Sequence, residues 1–359
     1  MIVVLVILLL LAGGLEVYSL MYALRDVTYD TYTSKISVDP GEEFEVVTVI
    51  ENHKALMVPF LRVQEVVPKD IHIEGADLEM YSSKGYADLY STMYLAPRQR
   101  VERRLTATMP ARGRYFFQGA TLLGGDFLGL GQAEDDYPVY QELVVLPARA
   151  ELGPLADVLG GFLGERSAQR FIMEDPILTL GYREYTGREP QKAISWAQSA
   201  HTGRLMVKKY DFTTEVSCTV LLNVEYDKNM DYPYDAIEEC FSIARTVCEE
   251  LEAKRIKYDF FTNATAAGAV GMWSQVNEGL GKSHLDTILE GLGRATYRAT
   301  EPFVDTLGHA CQTGESGRGY VIITPQELPA YQPGIRKLRE LRGGSTLVLT
   351  PPEKEVSTA

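Results

Sequence analysis

Two different hydrophobic periods divide this 359-residue chain, and they limit its possible folds more than any single motif does. Residues 25–150 hold short β-branched or alternating apolar runs, such as FEVVTVIEN at 44–52 and VPFLRVQEVVP at 58–68, with a DPG turn signal at 39–41. A period of two is typical of strands with one buried face. The pattern therefore predicts a β-sandwich domain over residues 25–150.

The pattern changes beyond residue 215, where strand-like and helix-like segments alternate. VSCTVLLNV at 216–224 is a continuous apolar run, and an apolar stripe with helical spacing begins near Pro233. Such alternation is typical of a mainly parallel sheet covered by helices. We expect a doubly wound α/β domain over residues 211–352, preceded by a connector at 151–210 and followed by a tail at 353–359.

The first twenty-four residues, MIVVLVILLLLAGGLEVYSLMYAL, contain a single charge, Glu16. About twenty apolar residues suffice to cross a bilayer, so the segment predicts an N-terminal transmembrane anchor over residues 1–24. Arg25 follows at once, and positive charge favours the cytoplasmic side. The expected location is a single-pass protein of the cell membrane whose soluble domains are cytoplasmic, in agreement with four cysteines that form no CxxC pair.

The charge balance of the chain indicates which classes of partner it can bind. A formal net charge of −14 argues against general affinity for nucleic acid, which needs clustered Lys and Arg. Positive charge is nevertheless concentrated at residues 181–211, where six basic residues face three acidic ones and where Trp196, one of two tryptophans, also lies.

This stretch carries a resemblance. Its Gly-x-Arg-x-Tyr core, Ile-x-Trp, small residue and Leu-x-Val resemble the signature of the prokaryotic domain-of-unknown-function family fifty-eight, at Gly181, Arg183, Tyr185, Ile194, Trp196, Ala200, Leu205 and Val207. The segment RGRYFFQGATLLGGDFLGL at 112–130 is similar to the same family. The resemblance implies a von Willebrand factor A-like C-terminal domain and an adaptor role beside a MoxR-type AAA ATPase.

Domains of the von Willebrand factor A type can bind a divalent cation through Asp-x-Ser-x-Ser after the first strand. Here that stretch is Asn223-Val224-Glu225-Tyr226-Asp227. Hard cations need converging carboxylate oxygens, and only Glu225 and Asp227 could supply them. We therefore predict a degenerate site at Asn223, Glu225 and Asp227 and no cofactor, with a divalent cation as the open alternative.

For the basic stretch two interpretations stay open, and they do not exclude each other. Trp196 and Tyr185 could pack into a seam between domains, with Arg183 paired to a carboxylate. Alternatively, Arg183, Tyr185, Arg188 and Trp196 form a partner-binding surface, since Arg, Trp and Tyr are enriched at interaction hot spots. The first interpretation expects Trp196→Ala to destabilise the fold.

The predicted function is a non-enzymatic, membrane-anchored interaction or adaptor protein that works with a MoxR-type ATPase in assembly or maturation of a complex. The histidines are scattered, and no Gly-x-Ser-x-Gly elbow is present in the sequence. The alternative is a hydrolase or ligand-binding protein with a site in the cleft between sandwich and α/β domain.

Overall fold

The computed structural model of the chain describes residues 2–75, 79–80, 85–126, 131–151, 153–169, 175–187, 191–211, 217–228, 231, 233–267, 274–313, 318–340 and 345–352. The chain forms two compact units, Met1–Ala148 and Arg149–Ala359.

The first unit begins with an N-terminal helix, and a sandwich of two sheets follows it in the chain. Helix α1 spans Ile2–Met21. The strands are β1 (Val27–Thr33), β2 (Ser37–Val38), β3 (Phe44–Asn52), β4 (Val58–Pro68), β5 (His72–Ile73), β6 (Glu79–Met80), β7 (Tyr86–Leu95), β8 (Arg100–Thr108), β9 (Gly113–Gly125) and β10 (Gln132–Val145). One sheet has the order β1-β3-β8-β5, and the other has the order β2-β10-β9-β4-β7-β6.

Alternation along these strands builds the sandwich core. In β1 every second residue is buried, so its apolar face points inward. Strands β3 and β4 coincide with the two runs that the sequence singles out. The two sheets enclose apolar clusters centred on residues such as Phe44 and Phe117, and Leu61 and Leu122.

One charged group lies inside this apolar sandwich. The Glu65 carboxylate is buried, and its Oε1 accepts hydrogen bonds from the Tyr29 hydroxyl at 2.9 Å and the Thr48 hydroxyl at 2.5 Å. Its Oε2 forms an ion pair with Arg103 of β8. Four strands therefore meet at one buried carboxylate: Glu65 belongs to one sheet, and its three partners all come from the other.

The prediction of a membrane anchor over residues 1–24 is wrong. Among the residues that the structure describes, no helix is both long enough and apolar enough to cross a membrane. The end of the predicted span belongs to the sandwich instead: Ala23 and Leu24 are buried, and Leu24 is part of the core cluster around Leu61. The membrane as a partner and the single-pass location are corrected for the same reason.

The second unit contains six α-helices and nine strands within its described ranges. These are α2 (Pro154–Gln169), β11 (Asp175–Glu184), α3 (Trp196–Thr202), β12 (Met206–Asp211), β13 (Ser217–Leu222), α4 (Pro233–Ala253), β14 (Lys257–Thr262), β15 (Ala264–Ala266), β16 (Gln275–Gly279), α5 (Lys282–Arg294), β17 (Ala295–Ala299), α6 (Phe303–Thr313), β18 (Gly319–Ile323), α7 (Gln332–Glu340) and β19 (Thr346–Leu349).

The fold class predicted from the sequence is also wrong. Strands hold more of the described chain than helices do, and no clear doubly wound α/β domain is present in the described ranges. The largest sheet of the unit has the order β16-β14-β13-β18-β19, and β16 joins its edge antiparallel to β14. Two further pairs, β11 with β12 and β15 with β17, form small separate sheets.

The physical reason is that periodicity does not reveal pairing partners. The β-capable segments Gln275–Gly279 and Ala295–Ala299 are short and have no apolar run, so the sequence shows only helices around them. In the fold these segments pair with β14 and β15, because pairing gives the backbone N–H and C=O groups of the strand edges their hydrogen-bond partners. Such pairs add to the strand content of the second unit.

Candidate functional site

The basic stretch folds into a hairpin that carries a short helix. Strands β11 and β12 pair antiparallel with Arg183 opposite Val207, and the Tyr185 N–H donates to the Leu205 carbonyl at 2.8 Å. Helix α3 belongs to the segment of chain that connects the two strands. Arg183 is exposed and Tyr185 is half-buried, whereas Arg188 lies outside the described residues.

Helix α3 is fastened to the hairpin by one serine. The Ser199 hydroxyl donates to the Ser195 carbonyl at 2.7 Å and accepts from the Met206 N–H at 2.8 Å. Gly203 ends the helix in the left-handed conformation, at φ 71°, which glycine adopts without strain. Ile194 and Val207, which pair across an isolated bridge, are buried.

Apolar side chains of this module remain in contact with solvent. Trp196 is 68% exposed, Tyr182 is 45% exposed and Leu205 is 44% exposed. Exposed basic residues accompany them: Arg183, Lys192, Arg204 and Lys208. Arg204 pairs with Glu184 at 3.2 Å, but both side chains are solvated, so the pair contributes little to stability. We call these seven residues, without Glu184, the hairpin surface.

Asn223 and Glu225 of the predicted degenerate metal site belong to a buried hydrogen-bond network at the carboxyl ends of β13, β14 and β18. Asn223 and Asn263 are completely buried. The Asn223 Nδ2 donates to the Thr324 hydroxyl at 2.9 Å and to the Tyr331 hydroxyl at 3.3 Å. Its Oδ1 accepts from the Asn263 Nδ2 at 2.9 Å.

Glu225 belongs to the same network. Its Oε2 accepts from the Phe303 N–H at 2.9 Å, at the start of α6, and from the Tyr331 hydroxyl at 3.1 Å. Its own N–H donates to the Asn223 Oδ1 at 2.8 Å. A helix N-terminus favours such a carboxylate, so Glu225 fastens α6 to the strand ends.

A divalent cation does not fit these residues. Both lone pairs of the Asn223 Oδ1 accept N–H groups, and its amide nitrogen occupies the direction in which a carboxylate would offer a second oxygen. No group of three His, Cys, Asp or Glu side chains arranged to hold a metal occurs among the described residues. Asp227 is half-buried beyond the network.

The network makes stability sensitive to high pH. Burial, and to a lesser extent Glu225, raises the pKa of Tyr331 to about 12. Above about pH 10 an unfolded tyrosine loses its proton while folded Tyr331 keeps it, so unfolding releases a proton and stability falls as pH rises. Tyr331→Phe should flatten this fall by about 1.4 kcal/mol per pH unit between about pH 10 and pH 12.

This is measured by urea unfolding of the wild type and the variant at a series of pH values. Below about pH 9 the difference between the two proteins should stay constant. Equal slopes above about pH 10 would show that Tyr331 is not held protonated by the fold.

The cysteines are buried in this unit. Burial raises the pKa of the Cys240, Cys248 and Cys311 thiols, which disfavours the thiolate that a nucleophile needs. The His284 Nε2 lies 3.0 Å from the Tyr258 carbonyl oxygen, and the two rings pack edge-on with centroids 4.7 Å apart.

Comparisons with known proteins add little. No protein-family model matches the sequence, and no curated protein matches it either. Among solved structures, the CARDB domain of a Pyrococcus furiosus protein in complex with di-metal ions is 12% identical over 34% of this chain and 88% of that chain, with a TM-score of 0.22. A non-cellulosomal cohesin from Archaeoglobus fulgidus is 10% identical over 33% and 91%, with a TM-score of 0.22.

The sporulation control protein Spo0M from Bacillus subtilis is 13% identical over 45% of this chain and 58% of that chain, with a TM-score of 0.20. Overlaps this weak assign neither a fold nor a function. The resemblance to the domain-of-unknown-function family therefore stays a prediction from the sequence.

Sequence reasoning missed several residues that the structure brings together. Asn263 and Tyr331 complete the network around Asn223, although they come from distant segments. Thr324, which also belongs to it, lies at a strand end where the sequence predicted a ligand. For Asn263 the available signal was position, because it follows a buried strand directly and parallel strands bring their carboxyl ends to one edge. Tyr331 had no comparable signal.

Proposed function

We propose that this chain is a non-enzymatic interaction or adaptor protein, and that the hairpin surface captures an acidic segment of a partner protein. The observation that carries the proposal is the 68% exposure of Trp196 in a module that also exposes basic side chains. Burial of an exposed tryptophan by a partner is energetically favourable, and Trp, Tyr and Arg dominate interaction hot spots.

Charge supports an acidic partner. The chain carries −14 overall, so its surface repels acidic proteins in general. The exposed side chains of Arg183, Lys192 and Lys208 reverse that sign locally. A segment that combines carboxylates with apolar residues would complement the positive charge and cover the exposed rings, and complementary charge raises its association rate.

The exposure of Trp196 changes the expected effect of its substitution. A seam residue would destabilise the fold when truncated, but a side chain that is 68% exposed contributes little packing. We expect Trp196→Ala to change the free energy of unfolding by less than about 0.5 kcal/mol and to weaken partner binding roughly 30-fold, the size typical of a hot spot.

The test places a photo-crosslinking amino acid at position 196 of the full-length protein in its native cells. Position 140 is the matched control, because Tyr140 is 76% exposed on the other unit. Position 196 should crosslink one protein through an acid-rich peptide, and binding of that purified protein should then be compared for wild type, Trp196→Ala and Lys208→Glu.

Each outcome is decisive for the hairpin surface. Crosslinking that is equal at both positions, or a captured segment without acidic residues, would overturn the proposal. The MoxR-type ATPase implied by the sequence resemblance is the first protein to look for among the crosslinked products, and it stays a prediction. Unchanged binding by both variants would exclude the surface as the contact.

A further inference from the structure

Helix α1 presents a continuous apolar face to solvent. Six residues of this face recur at alternating steps of three and four: Val4, Ile7, Leu11, Gly14, Tyr18 and Met21. All six are exposed, and the exposed fractions of the five large side chains lie between 52% and 73%. Residues three and four apart are neighbours on a helix, so the six form one stripe about 25 Å long. We call this stripe the α1 seam.

The opposite side of α1 carries its contacts with the first unit. Glu16 is buried, and Leu20 lies against Gly131, where an added Cβ would come within 2.7 Å of the Leu20 side chain. At 3.6 residues per turn, Glu16 and Leu20 are on the side of the helix away from Gly14 and Tyr18. Glu16 is also the only charged residue of α1, so the seam carries no charge. A continuous exposed apolar surface of this kind marks an interaction site.

The spacing of the α1 seam is that of a coiled coil. Alternating steps of three and four average 3.5 residues, which is the repeat that keeps an apolar stripe facing a second helix. The first, third and fifth residues of the stripe occupy one heptad position, and the other three occupy the second. The partner that fits this surface is therefore an uncharged helix face with the same repeat.

The α1 seam is complementary to itself when two copies run antiparallel. In one register of that alignment the stripe forms three kinds of pair between the copies: Leu11 with Gly14, Ile7 with Tyr18, and Val4 with Met21. Gly14 has open space around it, so it can receive the larger Leu11 side chain, and facing large and small residues fill the space between helices. A parallel pair would place Gly14 opposite Gly14 and leave a gap.

We propose that α1 of one copy binds α1 of a second copy as an antiparallel two-helix coiled coil. Two chains with a net charge of −14 repel each other in general, but the seam brings no carboxylate against another. The antiparallel direction also sets the N-terminal end of each helix beside the C-terminal end of the other, which the helix dipoles favour. This surface is separate from the hairpin surface, so the inference does not depend on the proposed function.

Two neighbouring glycines supply a matched pair of variants. Gly14 belongs to the seam and Gly13 does not, although both are exposed and have open space around them. Sedimentation velocity of the full-length protein in detergent-free buffer should show a dimer for the wild type and for Gly13→Glu. Gly14→Glu places a carboxylate against the apolar seam of the second copy and should raise the dimer dissociation constant at least roughly 100-fold. Circular dichroism checks that both variants are folded.

Disulfide crosslinking determines the direction of the helices. The four native cysteines are buried, so Val4→Cys and Met21→Cys can each be introduced singly. A mixture of the two variants should form a disulfide between copies. Val4→Cys alone should not, because antiparallel helices separate the two copies of position 4 by about 25 Å, too far for a disulfide.

Several results would overturn the inference. These are a monomeric wild type, an equal loss of the dimer in both glycine variants, and a disulfide formed by Val4→Cys alone. Sedimentation of the wild type with phosphatidylcholine vesicles in place of dimer formation would overturn it as well, because the seam would then be covered by lipid.

Discussion

Arg103→Met is expected to lower the free energy of unfolding of the sandwich by about 3–5 kcal/mol, because it leaves the Glu65 carboxylate buried without its positive partner. Tyr29 and Thr48 still donate to that carboxylate, but two neutral hydroxyls do not replace a guanidinium. Hydrogen exchange of peptides from β3, β4 and β8 in the full chain measures the change locally.

The neighbouring arginine is the matched control. Arg104 alternates to the other face of β8, where it pairs with Glu45 and Glu102 in solvent. Arg104→Met should therefore have a much smaller effect. In the double variant Arg103→Met with Glu65→Gln, the charge is gone and an acceptor for Tyr29 and Thr48 remains, so part of the loss should be recovered. Equal effects of the two arginine substitutions would contradict the buried ion pair.

Asn223→Asp is expected to destabilise the second unit by more than about 3 kcal/mol. The substitution replaces the amide nitrogen that donates to Thr324 and Tyr331 by a carboxylate oxygen, and it does so at a completely buried position. The new charge would also face Glu225, whose carboxylate already belongs to the network. Thermal and urea unfolding of the full chain check this expectation.

Asn277→Asp is the matched control, since Asn277 is exposed on edge strand β16 of the same sheet. It should change stability by less than about 0.5 kcal/mol. Added Mg²⁺ should leave the unfolding of the wild type unchanged, because the oxygen of Asn223 is occupied by N–H donors. Stabilisation of the wild type by Mg²⁺ would refute this account of the strand ends.

The sequence correctly indicated many single elements and failed for elements that depend on distant partners. Strands β3 and β4 coincide with the predicted runs, and α4 begins at Pro233, a residue that favours the first helical turn. Strand β16 and the pair β15 with β17 were missed, since short polar strands are stabilised by pairing and have little pattern of their own.

The candidate sites show the same division. Arg183, Tyr185 and Trp196 could be singled out because residue type and local charge density are visible in the sequence. Their exposure could not be predicted, because the same pattern suits a buried seam or an open surface; the 68% exposure of Trp196 became visible only in the fold.

The apolar N-terminus shows how far local hydropathy can mislead. Twenty-four residues with one charge predict an anchor, but no described helix is long and apolar enough to cross a membrane. Leu24, at the end of the segment, packs into the sandwich core, whereas Leu10 and Leu11 of α1 are exposed. The sequence by itself determined the local periods, the helix and strand starts and the uneven distribution of charge, because these depend on neighbouring residues. Only the tertiary structure decided which strands pair, which polar groups are buried together and which aromatic rings face solvent, because each depends on contacts between residues far apart in the chain.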